Sequence, residues 1–181
     1  MARHRSNLVW IDLETTGLSV GRHAILEIAS IVTDKDLNIL EEGPDLVVHQ
    51  TEETLARVDE WCEQQHGPSG LLEASAASDI SLREAEAQTL RFLRKHTHRG
   101  ASPLCGNSIL LDRRFLMRYM PDLNAHLSHR NIDVSAINEL VARWFPGALA
   151  RLDKGIRHRA ADDIRASIEE LRFYRRSVFR E

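Results

Sequence analysis

Four acidic side chains and one histidine stand at positions from which they could act on a single atom. Asp12 and Glu14 close an apolar run in "NLVWIDLETTGL" (7–18). Residues two apart in a strand share a face, so these carboxylates project side by side. Adjacent buried carboxylates repel, and they resist ionising unless a cation or proton intervenes. The plainer alternative is a strand that ends at Ile11 and leaves both acids in water. Asp112 lies in "LDRRFLMRYM" (111–120). With Phe115 as zero on a helix of about 3.6 residues per turn, Asp112 falls at about +60°, inside the apolar stripe. Read more simply, it is an acid favoured near a helix N-terminus. In "HRAADDIRASIEEL" (158–171), Asp163 lies at about −100° from Ile164, flanking the buried face, and Asp162 at about +160°, toward solvent. Geometry therefore selects Asp163. His158 precedes that helix, and its loop can aim it at the same place; a lone histidine there is otherwise structural.

Four carboxylates from separate segments, each near a core face, call for a divalent metal site. All-oxygen ligation suits Mg²⁺ or Mn²⁺ rather than zinc. Two such ions roughly 3.5–4 Å apart are the usual device for displacement at phosphorus. A histidine with a pKa near neutrality can take the proton of the attacking water.

The elements that must position these groups read as follows. "NLVWIDLE" is a strand apolar on both faces, hence central in a sheet. "AILEIASIVTD" (24–34) is a second strand, and "LNILEEGPDLVVHQ" (37–50) a third, interrupted at Gly43-Pro44. Short links make these three an antiparallel meander. The pattern then changes. One helix is expected over 51–67, capped by Thr51, and another over 81–96, opened by Ser81 and Glu84. "PLCGN" (103–107) is a short strand, 111–120 a helix, and "RNIDVS" (130–135) a short strand whose Ser135 caps the helix 136–145. A last helix runs from about Ala160 to Phe179. The result is an α/β domain, a mixed sheet with helices on its faces, spanning residues 1–181 without repeats or linkers.

Bulk properties restrict the classes of function. The chain has 181 residues, enough for one domain with a real core. No apolar run approaches the ~20 residues of a membrane span. The polar start "MARHRSN" leaves no room for a signal or transit peptide, and the expected location is cytoplasmic. Cys62 and Cys105 form no CxxC pair and read as buried reduced thiols. The net charge is −3, unlike the basic surface of a protein that grips long nucleic acids.

"DLETTG", "GNSILLDRRFL" and "HRAADD" resemble the DEDDh family of 3′→5′ exonucleases, and within it the oligoribonucleases. The likeness covers nearly the whole length and includes "TDKDLNILEEGP", "DEWCEQQHGPSGL", "IDVSAINELVARW" and "ADDIRASIEELRFYR". It implies a ribonuclease H-like fold and a homodimer. It implies two divalent cations, Mg²⁺ or Mn²⁺, on Asp12, Glu14, Asp112 and Asp163, with His158 as general base. The substrate implied is very short RNA, dinucleotides above all, cut to 5′-nucleoside monophosphates. Leu18 matches a wedge between two bases, and Trp61 and His66 match positions lining the 3′ nucleotide. Ser108, Arg130 and Ser135 match a cap over the 5′ phosphate. Each also has a plainer account: Leu18 in the core, Trp61 in helix packing, His66 on the surface near a helix end. Likewise Ser108 is a turn residue, Ser135 a helix cap and Arg130 a solvated charge. His129 and Ala136 depart from the family's common Tyr and hydroxyl-bearing residue, and so bear on the phosphate cap. A sister exonuclease acting on longer single-stranded RNA or DNA is the alternative, and length preference separates the two.

Overall fold

The computed structural model describes residues 3–149 and 159–179. Among these residues five strands form one sheet: β1 (Leu8–Thr15), β2 (Ile25–Thr33), β3 (Ile39–Val47), β4 (Leu104–Gly106) and β5 (Asn131–Asp133), in the order β3-β2-β1-β4-β5. The first three are antiparallel, and β4 and β5 add in parallel beside β1. This is the mixed sheet expected from the pattern. Among the described residues the helices are α1 (Glu52–Leu55), α2 (Glu60–His66), α3 (Leu71–Ala77), α4 (Leu82–His96), α5 (Leu110–Tyr119), α6 (Pro121–His126), α7 (Val134–Trp144), α8 (Pro146–Leu149) and α9 (Ala160–Ser177).

β1 is central because both of its faces are apolar. Val9, Ile11 and Leu13 enter a core shared with α4, α5 and α6. Trp10 enters the opposite core, under α7 and α9. All nine residues of β2 are buried. On the α9 side, Leu8, Trp10, Asp12 and Glu14 pair across to Thr33, Ile31, Ala29 and Glu27. Trp10 Nε1 donates to Thr33 Oγ1 at 3.1 Å. That face therefore runs from apolar at one end to acidic at the other.

Four expectations change. β3 is not broken at Gly43-Pro44. Instead the pairing slips, from Ala29 opposite Asp45 to Ile31 opposite Glu42. This is a bulge on an edge strand, where proline is tolerated, and Gly43 lets the Phe92 ring of α4 lie where a Cβ would come within 2.5 Å. The helix expected over 51–67 is two helices, because the Asp59 amide donates to Thr16 O at 2.8 Å and draws the chain toward the end of β1. The Thr51 cap stands, accepting from Thr54 N at 3.3 Å. α7 begins at Val134 and is capped by Asp133, which accepts from Ser135 N at 3.0 Å, so Ser135 is not the cap. The short helices α3, α6 and α8 were not anticipated.

Candidate active site

The end of β1 gathers the acids. Alternation places Asp12 and Glu14 on the face that α9 covers, and Asp163 comes down from the first turn of α9. Asp12, Glu14 and Asp163 each offer an oxygen within 4.8 Å of the others. Asp112 arrives from the first turn of α5, is only 9% exposed, and accepts from Leu13 N at 3.0 Å, between the two β1 acids. Asp162 turns away to Arg165, at 3.0 Å. Of the two, it is Asp163 that lies among the β1 acids.

Burial and the charges of neighbouring carboxylates raise the affinities of these groups for protons. Asp12 lies well above the usual carboxylate range, through burial and then the charges of Asp112, Glu14 and Asp163. Burial pushes Glu14 up to about 8, with Asp163, Glu27 and Asp112 adding and Arg159 opposing. Burial lifts Asp112 to about 7, against hydrogen bonds from its own backbone and from Leu13. Asp163 rises to about 6, through burial and then Asp162 and Glu27. A converging all-oxygen set that holds protons near neutrality is suited to a divalent cation. His158 lies outside the described residues.

Of the residues matched to substrate, Leu18 and Trp61 are 60% and 59% exposed, which removes their core and packing accounts. The turn carrying Leu18 is tightly held. Thr15 Oγ1 donates to Gly17 O at 3.0 Å, Thr16 N to Ala24 O at 2.9 Å, and Tyr119 OH to Val20 O at 2.7 Å. At Gly17 a Cβ would meet Asp59 Oδ2 at 2.3 Å and the His23 ring at 2.5 Å. His66 is not on the surface. It is 2% exposed, its Nε2 donating to Thr15 O at 3.1 Å and standing 3.7 Å from Glu14 Oε2.

Ser108 and Ser135 come together, 3.3 Å between hydroxyls. Ser108 adopts φ +48°, and its amide donates to Asp133 Oδ1 and Ser135 Oγ. Ser135 Oγ donates to Asn107 Oδ1 at 2.9 Å, Asn107 Nδ2 to Ser167 Oγ at 2.9 Å, and Ser167 Oγ to Asp163 O at 2.9 Å. A chain of hydrogen bonds thus ties the two serines to the helix of Asp163. Arg130 is exposed ahead of β5, and its guanidinium bonds to neither serine. Sequence reasoning passed over Asn107, Asp133 and Glu27. Only Glu27 carried a signal, as a charge inside an Ile-rich strand. Cys62 and Cys105 are free and buried, and burial, then Asp59 and Glu14, raise the Cys62 thiol to about 11.

An exonuclease family model matches residues 9–171. The chain is 55% identical over 174 residues to an oligoribonuclease of Vibrio vulnificus, covering 96% of both chains. It is 53% identical to one of Haemophilus influenzae, covering 97% of this chain and 96% of that one. Among solved structures, a zinc-bound E. coli exonuclease I complex with single-stranded DNA superposes with a TM-score of 0.74 at 15% identity. Exonuclease I of Methylocaldum szegediense gives 0.68 at 18%. Each of these two alignments covers at least 95% of this chain but 41% of the longer one, so the likeness is one of fold. Fold and family model together define a ribonuclease H-like nuclease of the exonuclease class. With relatives this similar over nearly their full length, the chain belongs to the oligoribonucleases, 3′→5′ exoribonucleases of that family. Among the described residues, no helix is long and apolar enough to cross a membrane.

Proposed function

We propose that residues 1–181 form one exonuclease domain that hydrolyses very short RNAs from the 3′ end, dinucleotides above all, to 5′-nucleoside monophosphates. The observation that carries this reading is the convergence of Asp12, Glu14 and Asp163 within 4.8 Å, with Asp112 buried against Leu13 N beside them. These four would hold two divalent cations, Mg²⁺ or Mn²⁺. When bound, the cations would supply a polarised water and neutralise charge on the leaving oxygen.

The chain's own groups do the rest. His158, one residue before Arg159, takes the water's proton. Leu18 wedges between the bases and Trp61 lies against the 3′ nucleotide, a reading their exposure supports. His66 acts on that nucleotide from behind, through the end of β1 and Glu14. Ser108 and Ser135 receive the 5′ phosphate, with Arg130 swinging over it. The reading is of a cytoplasmic homodimer. Two free buried thiols fit a reducing compartment. The exposed apolar side chains Leu140, Trp144 and Phe145, on and just after α7, fit a second copy. Sedimentation is expected to give twice the 20.6 kDa of the chain.

The test is hydrolysis of 5′-phosphorylated RNAs of two to seven nucleotides with Mn²⁺ or Mg²⁺. The expected result is a strong dinucleotide preference, abolished by chelator and by Asp112→Ala. Equal cutting at all lengths would transfer the chain to the sister exonucleases. Absence of cutting by folded protein would overturn the catalytic reading.

A further inference from the structure

Glu27 is buried to 0% exposure in β2, directly across from Glu14. It adds a fifth carboxylate to a place already crowded with acids, and its charge raises the proton affinity of Asp12, Glu14 and Asp163. A buried charge is costly unless it is paired and hydrogen-bonded. Here both oxygens are used. Arg159 donates to Oε1 from Nε at 2.8 Å and from Nη2 at 2.5 Å. The Ala160 amide donates to Oε2 at 3.1 Å.

Ala160 is the first residue of α9, and Arg159, in the N-cap position, makes no side-chain cap. Besides the helix's own first-turn acids Asp162 and Asp163, a carboxylate that caps the first amide comes from β2, 133 residues earlier in the chain than Ala160. Three residues beyond Ala160 stands Asp163, and one residue before Arg159 stands His158. The same side chain thus grips the chain between the two groups that the proposed reaction draws from this segment.

We propose that Glu27 is a positioning residue: its hold on Arg159 and on the first amide of α9 sets where Asp163 meets the β1 acids. The proposal rests on the metal-dependent reading above. Its strand partner Glu14 and the helix acid Asp163 are ligands in that reading; Glu27, engaged on both oxygens, is not. Residues that orient ligands typically contribute 10–100-fold to metal affinity or activity when removed.

The test is Mn²⁺ calorimetry without substrate on wild type, Glu27→Gln and Arg159→Lys, with melting in chelator and steady-state kinetics on a dinucleotide. Glu27→Gln is expected to weaken Mn²⁺ roughly 10–100-fold and lower kcat roughly 10-fold, with KM within about twofold. Arg159→Lys is the decisive variant. Its side chain is 44% exposed, so the core is spared, and every charge is kept while the two-pronged fork is lost. Weaker Mn²⁺ binding in Arg159→Lys supports positioning. A wild-type-like Arg159→Lys would mean that only charge matters and would overturn it. Lower melting temperatures with Mn²⁺ binding and kcat unmoved would make the pair a plain structural pin, also overturning it. If wild type itself binds no Mn²⁺, the metal reading fails, and this proposal with it.

Discussion

Asp112 shows how one side chain is made to work from an apolar stripe. Its helix delivers it beneath the end of β1, and the Leu13 amide fixes one oxygen at 3.0 Å. The other three acids are partly buried at the same place, within 4.8 Å of one another. Their proton affinities therefore make stability depend on pH. A carboxyl whose pKa is raised on folding favours the folded chain fully below its ordinary value, and that contribution is lost as pH rises through the folded value. Asp163 passes about 6, Asp112 about 7 and Glu14 about 8. With chelator, the melting temperature should fall steadily from about pH 5 to 8.5. With saturating Mn²⁺ the slope should flatten or reverse, because binding needs the deprotonated acids and grows stronger with pH. A chelated protein whose melting temperature is level or rising over that range would show that the cluster is solvated.

At the scale of elements, the turn after β1 decides how Leu18 is presented. Gly17 is wedged against Asp59 and His23, which face each other at 3.4 Å. Gly17→Ala forces that contact apart. The expected outcome is a KM for the dinucleotide raised roughly tenfold, about 1.4 kcal/mol, with kcat nearly unchanged. A fall in kcat with constant KM would place the damage at the acids instead. The same turn explains what the sequence could reveal and what it could not. Period-2 and 3.6-residue patterns are local, so they exposed the core strands, the pairing of Asp12 with Glu14, and the inward lean of Asp112 and Asp163. The split of the helix over 51–67 depends on a hydrogen bond to Thr16, far back in the chain. α3, α6 and α8 are too short for a period to declare itself. Asp133 and Ser135 are both good caps, and only the Asn107 contact decides between them. Glu27 was visible as an oddity in its strand, but its meaning lies with Arg159, 132 positions away.

For the whole molecule, charge is informative. A net charge of −3 gives long polyanions no broad attraction. A 5′-phosphorylated dinucleotide carries about two phosphates, so its binding constant should fall with salt on a log–log slope no steeper than about −1.4. Titration of the catalytically silent Asp112→Ala variant with the dinucleotide between low and physiological salt would measure it. A slope several times steeper would point to a longer ligand tracked along a basic path.

α9 lies over the acidic end of the sheet and contributes Asp163, and of the described elements it is the last in chain order. Synthesis proceeds from the N-terminus, and domains begin to fold as they emerge. A ribosome thus produces the sheet and three of the four acids well before the fourth. On the proposed reading, a chain folding in this order lacks its fourth acid until α9 has formed. The same helix start that brings in Asp163 is the one Glu27 grips through Arg159 and the Ala160 amide, so the last part of the site to be made is tied to one of the first strands.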